Sequence, residues 1–371
     1  MVADKIKKVD KLTITFLVDN SIEWFTKLPP GFTHEIKIHL GEHSPAVNPV
    51  TGAPILDFEK FCCGAHGFSA LIETQVEGSE PQLTLFDTGP ESRSIARNIA
   101  SLQIPVQRIS RVVLSHWHSD HSGGLLSFLR IRKAAFADPD CDPVNPGLVV
   151  VDLHPDRPIA RGIAPGGPTK VIGQLATDPR FEEIEELDGF IEKHSKEHLV
   201  AEDTVYVSGE IPRVTPWEQG LLGAVRWVGD EESKRGEWVE EEQIMDERYA
   251  LVDVKGKGLV IFSACSHAGI VNVVRDAIVN FKRPIHMVIG GLHLATPDLV
   301  DRIEPTVQFL ADKVRPAPTY VLPMHCTGFQ AKAALEKALG EGCVPAGTGI
   351  RVEVTGDGEV EKRIFAPTIS L

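Results

Sequence analysis

The sequence predicts a layered α/β protein. Apolar, β-branched runs of strand length repeatedly end in small or polar clusters, segments with apolar residues at helical spacing fall between them, and the alternation continues through both halves of the chain. In the first half the strand-like runs are LTITFLVDN from Leu12, FSALIET from Phe68, LTLFDTG from Leu83, VVLS from Val112 and GLVVVDLH from Gly147. Helical spacing occurs in SRSIARNIASL, between the third and fourth runs, and in GGLLSFLRIRKA, just after a histidine-rich stretch. The second half begins with TVYVSGEI, the hairpin-like YALVDVKGKGLVIFSACS and the helical IVNVVRDAIVNF. It continues with the strand IHMVIGG, the helix LVDRIEPTVQFLADKV, the strand TYVLPMHC, the helix FQAKAALEKAL and a last strand, IRVEVTG. No short-period repeat underlies this similarity of the halves.

Two stretches break the pattern. HSPAVNPVTGAPILDFEKF from His43 and TPWEQGLLGAVRWVGDEESKRGEWVEEEQ from Thr215 are long and rich in Gly, Pro or charge. They are expected to be insertions, near 43–60 and 215–247, in a single domain spanning 12–371. Each suits either a solvated surface excursion or a cover over a substrate.

The balance of 38 basic against 52 acidic residues gives a formal charge of −14, and no Lys/Arg-rich run offsets it, so nucleic acid is not an expected partner. No run of about 18 apolar residues exists to cross a membrane. The opening MVADKIKKVDKL has no apolar stretch of the secretory kind, which leads to the expectation of a cytoplasmic protein. The six cysteines, including the adjacent Cys62 and Cys63, make no evenly spaced disulfide framework and read as reduced thiols. The expected partner is a small-molecule substrate, and the oligomeric state is open.

The chemistry concentrates in VVLSHWHSDHSGG, which begins at Val112 and holds three of the chain's 14 histidines. His116 and His118 are two apart, so an extended backbone points both to the same side. Asp120 and His121 follow where the chain must turn into a helix. Such a loop can offer two nitrogens to one cation, and a carboxylate with a nitrogen to a neighbouring one. Gly123 and Gly124 are expected to let the backbone turn tightly beside it. One loop cannot close two coordination shells, so further donors must come from other strand ends. The candidates are His267 in FSACSHAG, His293 in IGGLHL and His325 in LPMHCTG, which can meet the first cluster along one edge of an α/β sheet.

LSHWHSDHSGG resembles the H-x-H-x-D-H signature of the metallo-β-lactamase superfamily, and LFDTG resembles the aspartate-bearing strand end that precedes it. LVDN, HGFS, SGEIPR, CSHAGIVN, GGLHL and HCTG extend the resemblance, from about Leu12 to Gly328, to the branch of 7,8-dihydropterin-6-methyl-4-(β-D-ribofuranosyl)-aminobenzene-5′-phosphate synthase-like hydrolases. The resemblance implies a four-layer αββα sandwich with a dinuclear site at one edge. It assigns His116 and His118 to a first metal, and Asp120, His121 and His325 to a second. Where the lactamases place a histidine after the middle strand this chain has SGEIPR, and where they place a bridging aspartate it has SACSH. His267 is therefore assigned to the first shell, with Cys265 and Glu210 as substitutes. Asp87 is expected to accept backbone hydrogen bonds near the metal loop. His66 and His293 are candidates for substrate orientation or proton transfer alongside Asp120, while Arg213 and Glu210 are candidates for substrate binding.

The implied cofactors are two divalent ions, zinc first, with manganese or iron as alternatives. The implied activity is metal-dependent hydrolysis of an ester, lactone, amide or phosphoester in a small, anionic molecule. Alternatives are a synthase-like transfer releasing pyrophosphate, a di-iron redox role, for which no flavin-binding segment is evident, and a non-catalytic metal-binding scaffold.

Overall fold

The computed structural model describes residues 2–137, 148–230, 233 and 235–370; the expected strand from Gly147 therefore starts outside them. Strands β1 (Lys11–Val18), β2 (Ser69–Gln75), β3 (Gln82–Phe86), β4 (Ile109–Val113), β5 (Val149–Leu153) and β6 (Gly189–Lys193) lie side by side in one sheet. A second sheet runs β7 (His198–Val200), β8 (Val205–Val207), β9 (Ala250–Val254), β10 (Gly258–Ser263), β11 (Ile285–Gly291) and β12 (Tyr320–Met324). The last long strand, β13 (Arg351–Thr355), returns to the first sheet and pairs antiparallel with β1 and with Phe32–Thr33 at the edge.

Each sheet is antiparallel at one end and parallel at the other. In the first, β1, β2 and β3 form a meander with Ile14 opposite Ile72 and Leu71 opposite Leu85, after which β3, β4 and β5 run parallel. In the second, the β9–β10 hairpin leads into the parallel β10, β11 and β12. Parallel neighbours need crossover helices, which α1 (Ser92–Ser101), α2 (Leu125–Phe136), α3 (Ile270–Phe281) and α4 (Val300–Gln308) supply, with α5 (Phe329–Leu339) following β12. The arrangement brings the carboxyl ends of β3, β4, β10, β11 and β12 to a common edge, the usual place for a ligand in parallel sheets.

Three apolar seams define four layers. Phe16, Phe86 and Val113 of the first sheet meet Val252, Phe262, Ile289 and Leu322 of the second, all fully buried. Ile95, Ile99, Phe128 and Leu129 seal α1 and α2 onto the outer face of the first sheet, while Val271, Val274, Ile303 and Leu335 seal α3, α4 and α5 onto the second. Each such side chain contributes about 1.5–3 kcal/mol on leaving water. The αββα sandwich is thus the observed fold.

The helix expected through LVDRIEPTVQFLADKV ends early: α4 stops at Gln308, a π-helical turn covers Phe309–Lys313, and Val314 opens a short strand. The 43–60 region is irregular apart from a 3-10 turn at Phe58–Lys60 and an isolated bridge between Val47 and Pro54. The stretch from Thr215, by contrast, holds an antiparallel pair, Ala224–Asp230 with Arg235–Glu240, in which Trp227 faces Trp238 with ring centroids 5.6 Å apart. With Arg161–Ile163 and Gly173–Gln174 this pair forms a third, four-stranded sheet. Its glycines and charges masked the strands, and the cross-strand tryptophans compensate by packing on one another. Among the described residues, Cys62, Cys63, Cys265, Cys326 and Cys343 are free thiols. No helix among them is long and apolar enough to cross a membrane.

Candidate metal centre

The loop after β4 carries the first donors. Leu114 donates its backbone N–H to Asp152 O at 2.9 Å, and Trp117 donates its own to Asp246 Oδ2 at 2.7 Å. The buried Trp117 indole donates to His154 O at 2.9 Å, which fixes the loop from its other side. His118 is extended (φ −127°, ψ 139°), and a single helical turn at Ser119–Ser122 then presents Asp120 and His121. Gly123 and Gly124 have ordinary negative φ values, −62° and −83°, so conformational freedom is not their role. A Cβ on either would lie 2.1 Å from a carbonyl oxygen, that of Pro90 or of Thr88, so glycine is needed for close approach.

The second sheet supplies the remaining donors from the ends of β10, β11 and β12. His267 is held by the buried Glu247, whose two carboxylate oxygens accept the backbone N–H groups of His267 and Ala268, each at 2.7 Å. His293 and His325 have left-handed backbones, with φ of 48° and 42°. His325 is steadied by its N–H, which donates to Asp19 Oδ1 at 2.7 Å.

Two groups of donors result. In the first, His116 Nε2 lies 3.0 Å from His118 Nδ1, and His267 Nε2 lies 3.2 Å from both. Three ring nitrogens in a mutual triangle cannot all be satisfied by hydrogen bonds to one another. A tetrahedral ion with zinc–nitrogen bonds of 2.0–2.1 Å spaces its ligands about 3.3–3.4 Å apart, close to what is seen. In the second group, Asp120 Oδ2 lies 3.2 Å from His325 Nε2 and 3.6 Å from His121 Nε2, with Cys265 among them. Apart from this shared carboxylate, the buried Nε2 atoms of His121 and His325 have no hydrogen-bonding partner in the protein. Aligned imidazoles, a carboxylate and a thiol fit a divalent ion of the zinc type.

Hydrogen bonds behind the donors set their tautomers. Ser115 donates its hydroxyl proton to Asp87 Oδ2 at 2.7 Å and so accepts from His116 Nδ1–H at 2.8 Å, leaving the Nε2 lone pair facing the triad. His121 Nδ1–H donates to the same Asp87 oxygen at 2.7 Å, and Ser115 N–H donates to Oδ1 at 2.7 Å. His325 Nδ1–H donates to Asn20 Oδ1 at 3.1 Å. Such carboxylate and amide partners orient metal-binding imidazoles. Asp87 accepts the expected backbone bond and two side-chain bonds besides.

Burial, reinforced by neighbouring positive groups, pushes His116 and His267 well below the usual imidazole range and His118 down to about 3, so all three are neutral donors. Burial opposes charging of His121 as well, but the Asp120 and Asp87 carboxylates outweigh it and raise that imidazole to about 9. Burial penalises the charged form of Asp120 too, yet His121 and His325 hold its carboxyl well below the usual range.

The centre opens into a cleft of about 710 Å³ lined by His66, His118, Asp120, Cys265, His267, His293 and His325 on the metal side. His66 accepts from Asn20 Nδ2 at Nδ1 (3.0 Å) and turns Nε2 toward Asp120 Oδ2, 3.8 Å away. The His293 ring sits 4.5 Å from that of His267 and groups with the thiols of Cys265 and Cys326.

Other sequence candidates lie elsewhere. Cys265 groups with the second set of donors, not the first, because it precedes His267 by two residues across the sharp bend at Ser266 (φ 60°). Glu210 borders a different concavity with Lys196 and Tyr206. Arg213 does not line the cleft; its guanidinium donates to the carbonyl oxygens of Ile211 and Gln243. Sequence reasoning passed over Asn20, Ser115 and Glu247. LVDN and VVLS, each with a polar residue directly after an apolar run, gave a signal for the first two.

Comparison with known proteins bears on the fold and the family resemblance. Residues 67–137, which include the β4 loop, match the family described as the Metallo-beta-lactamase superfamily. The chain is 28% identical over 282 residues to the 7,8-dihydropterin-6-methyl-4-(beta-D-ribofuranosyl)-aminobenzene-5'-phosphate synthase of Methanocaldococcus jannaschii, covering 72% of this chain and 82% of that one. An uncharacterized protein of the same organism is 27% identical over 279 residues, 73% of this chain and 88% of its own. Among solved structures, Tm1679, described as a metal-dependent hydrolase of the beta-lactamase superfamily, superposes with a TM-score of 0.61 at 19% identity. That match covers 93% of this chain and 99% of that chain. At this identity the likeness shows the fold.

Proposed function

We propose that the chain is a member of the metallo-β-lactamase superfamily, which residues 67–137 match, and that it is a metal-dependent hydrolase acting on an ester, lactone, amide or phosphoester of a small molecule. One observation carries the reading: two sets of donor atoms, drawn from both sheets, lie side by side at the base of one cleft. His116, His118 and His267 would hold one ion, and Asp120, His121 and His325, with Cys265, a second. Bound there, divalent ions supply Lewis acidity and make water a usable nucleophile near neutral pH.

The protein's own groups do the rest. Asp87 and Ser115 keep the Nε2 lone pair of His116 directed inward, and Asp87 does the same for His121. Asp120 would hold the second ion with His121 and His325, and its negative charge orients the protons of a water lying beside it. His66 directs Nε2–H toward that carboxylate and can orient the polar end of a substrate. His293, which lines the cleft beside the Cys265 and Cys326 thiols, can deliver a proton to the departing atom.

The test is elemental analysis of the purified protein paired with a hydrolysis screen over lactones, esters, β-lactams and phosphodiesters. His118→Ala should lose bound metal and abolish turnover; full turnover with the site empty overturns the proposal. A second reading, synthase-like transfer, is favoured by the relative from Methanocaldococcus jannaschii, whose name is that of a synthase. Release of pyrophosphate from a dihydropterin pyrophosphate separates the two.

A further inference from the structure

The cleft is chemically two-sided. Opposite the histidines, its wall is built by Ile163, Pro165, Leu175, Leu222, Val225 and Leu299, drawn from the third sheet, the loop that carries it and the turn before α4. Several of these are solvent-facing: Ile163 is 47% and Leu222 45% exposed. Apolar side chains left open on the rim of a concave site are ready to be covered by a ligand.

No charge on that wall is available to balance an anion. Among the described residues, Arg161 is the one arginine that lines the cleft, and no lysine lines it. A guanidinium has five N–H donors, and here each is taken. Nε donates to Glu241 Oε2 (2.8 Å), Nη1 to Trp117 O (2.6 Å) and Asp246 Oδ2 (3.2 Å), and Nη2 to Glu241 Oε1 (2.9 Å) and Asp246 Oδ1 (2.5 Å). Two carboxylates on one guanidinium leave the trio net negative, and the lining residue Asp298 adds another acid. With Arg213 committed elsewhere, the anionic substrate expected from the sequence has nowhere on this wall to place a distal charge.

We infer that the substrate has a neutral, apolar body of acyl or aromatic type, seated against the Ile163–Leu222 wall, with its reactive carbonyl or phosphoryl group at the donor cluster. The inference rests on the hydrolase reading for the reactive end and on the wall's chemistry for the rest. It disfavours a phosphorylated second substrate of the kind a synthase of ribosyl phosphates would need.

The experiment is calorimetric binding of straight-chain monocarboxylates from acetate to octanoate, and of the dicarboxylates succinate and suberate, to the zinc-loaded protein. Affinity should rise about threefold to fourfold per methylene through the monocarboxylates, as burial of each methylene dictates. Suberate should bind more weakly than octanoate. Leu222→Asn and, independently, Ile163→Thr should flatten the chain-length dependence; both positions are exposed enough to tolerate the change. A flat series in the unaltered protein, or preference for suberate, overturns the inference. The hydrolysis screen is read separately: octanoate preference without ester turnover removes the hydrolase reading and keeps the apolar site. Turnover indifferent to acyl length removes the apolar site and keeps the hydrolase.

Discussion

Asp87 offers a sharp test, because one fully buried carboxylate accepts three hydrogen bonds of 2.7 Å, from Ser115 N–H, Ser115 Oγ–H and His121 Nδ1–H. Asp87→Asn preserves shape and exchanges one acceptor oxygen for a donor. If the new amide nitrogen takes the Oδ2 position, it confronts both the Ser115 hydroxyl and the His121 ring. If it takes the Oδ1 position, it confronts the Ser115 backbone N–H instead, and in either orientation the Ser115 hydroxyl and the His121 ring lose the charge of the carboxylate that accepts from them. Losing one hydrogen bond to a charged acceptor costs about 1.5–3 kcal/mol, which corresponds to roughly a 10- to 100-fold change in an equilibrium constant. Removing the outer partner of a metal ligand has the same typical size, about 10- to 100-fold in affinity. Competition with a chromophoric chelator should therefore show metal affinity down by that factor, with near-ultraviolet circular dichroism unchanged. Undiminished affinity in a folded variant would refute the assignment of Asp87 as the group that orients His116 and His121.

Further outcomes follow from other contacts. Asp246→Ala removes a buried partner of Arg161 and the acceptor for Trp117 N–H, and should cost about 3–5 kcal/mol in urea denaturation, toward the lower end because Glu241 still pairs with the arginine. Burial, with a smaller push from Lys257, lowers His286 to about 4 from an ordinary 6.5. The unfolded chain therefore takes up that proton first, and stability is lost as pH falls from about 6.5 to 4. In His286→Phe, which keeps the ring against Tyr320, the denaturation midpoint should change less across that window. If Cys265 contributes its thiolate to the second ion, the cobalt(II) protein should show a sulfur-to-metal charge-transfer band that Cys265→Ser abolishes; its survival would remove Cys265 from the shell.

Much of this was readable in advance because strand periodicity and clustered donors are local signals. His116, His118, Asp120 and His121 share one short loop, and His267, His293 and His325 each close an apolar run. Supporting groups were not readable, since their meaning depends on contacts across the chain: Glu247 acts on a loop 20 residues away and Asn20 on a histidine 305 residues away. Arg213 misled because a lone arginine after a polar turn looks the same whether its donors face a ligand or its own backbone. The Trp227–Trp238 hairpin was hidden because exposed strands of a small sheet carry charge and glycine on both faces, without the alternation that a half-buried strand displays.

The origin of the donors has a mechanical consequence. His116, His118, Asp120 and His121 hang from the first sheet, whereas Cys265, His267 and His325 hang from the second, so each ion would rivet one half of the sandwich to the other. Adhesion between the halves and affinity for the ions are then a single thermodynamic quantity: saturation a thousandfold above the dissociation constant clamps the seam by about 4 kcal/mol. Chelation should accordingly unzip the protein from its histidine-bearing rim inward, well before either half frays on its own.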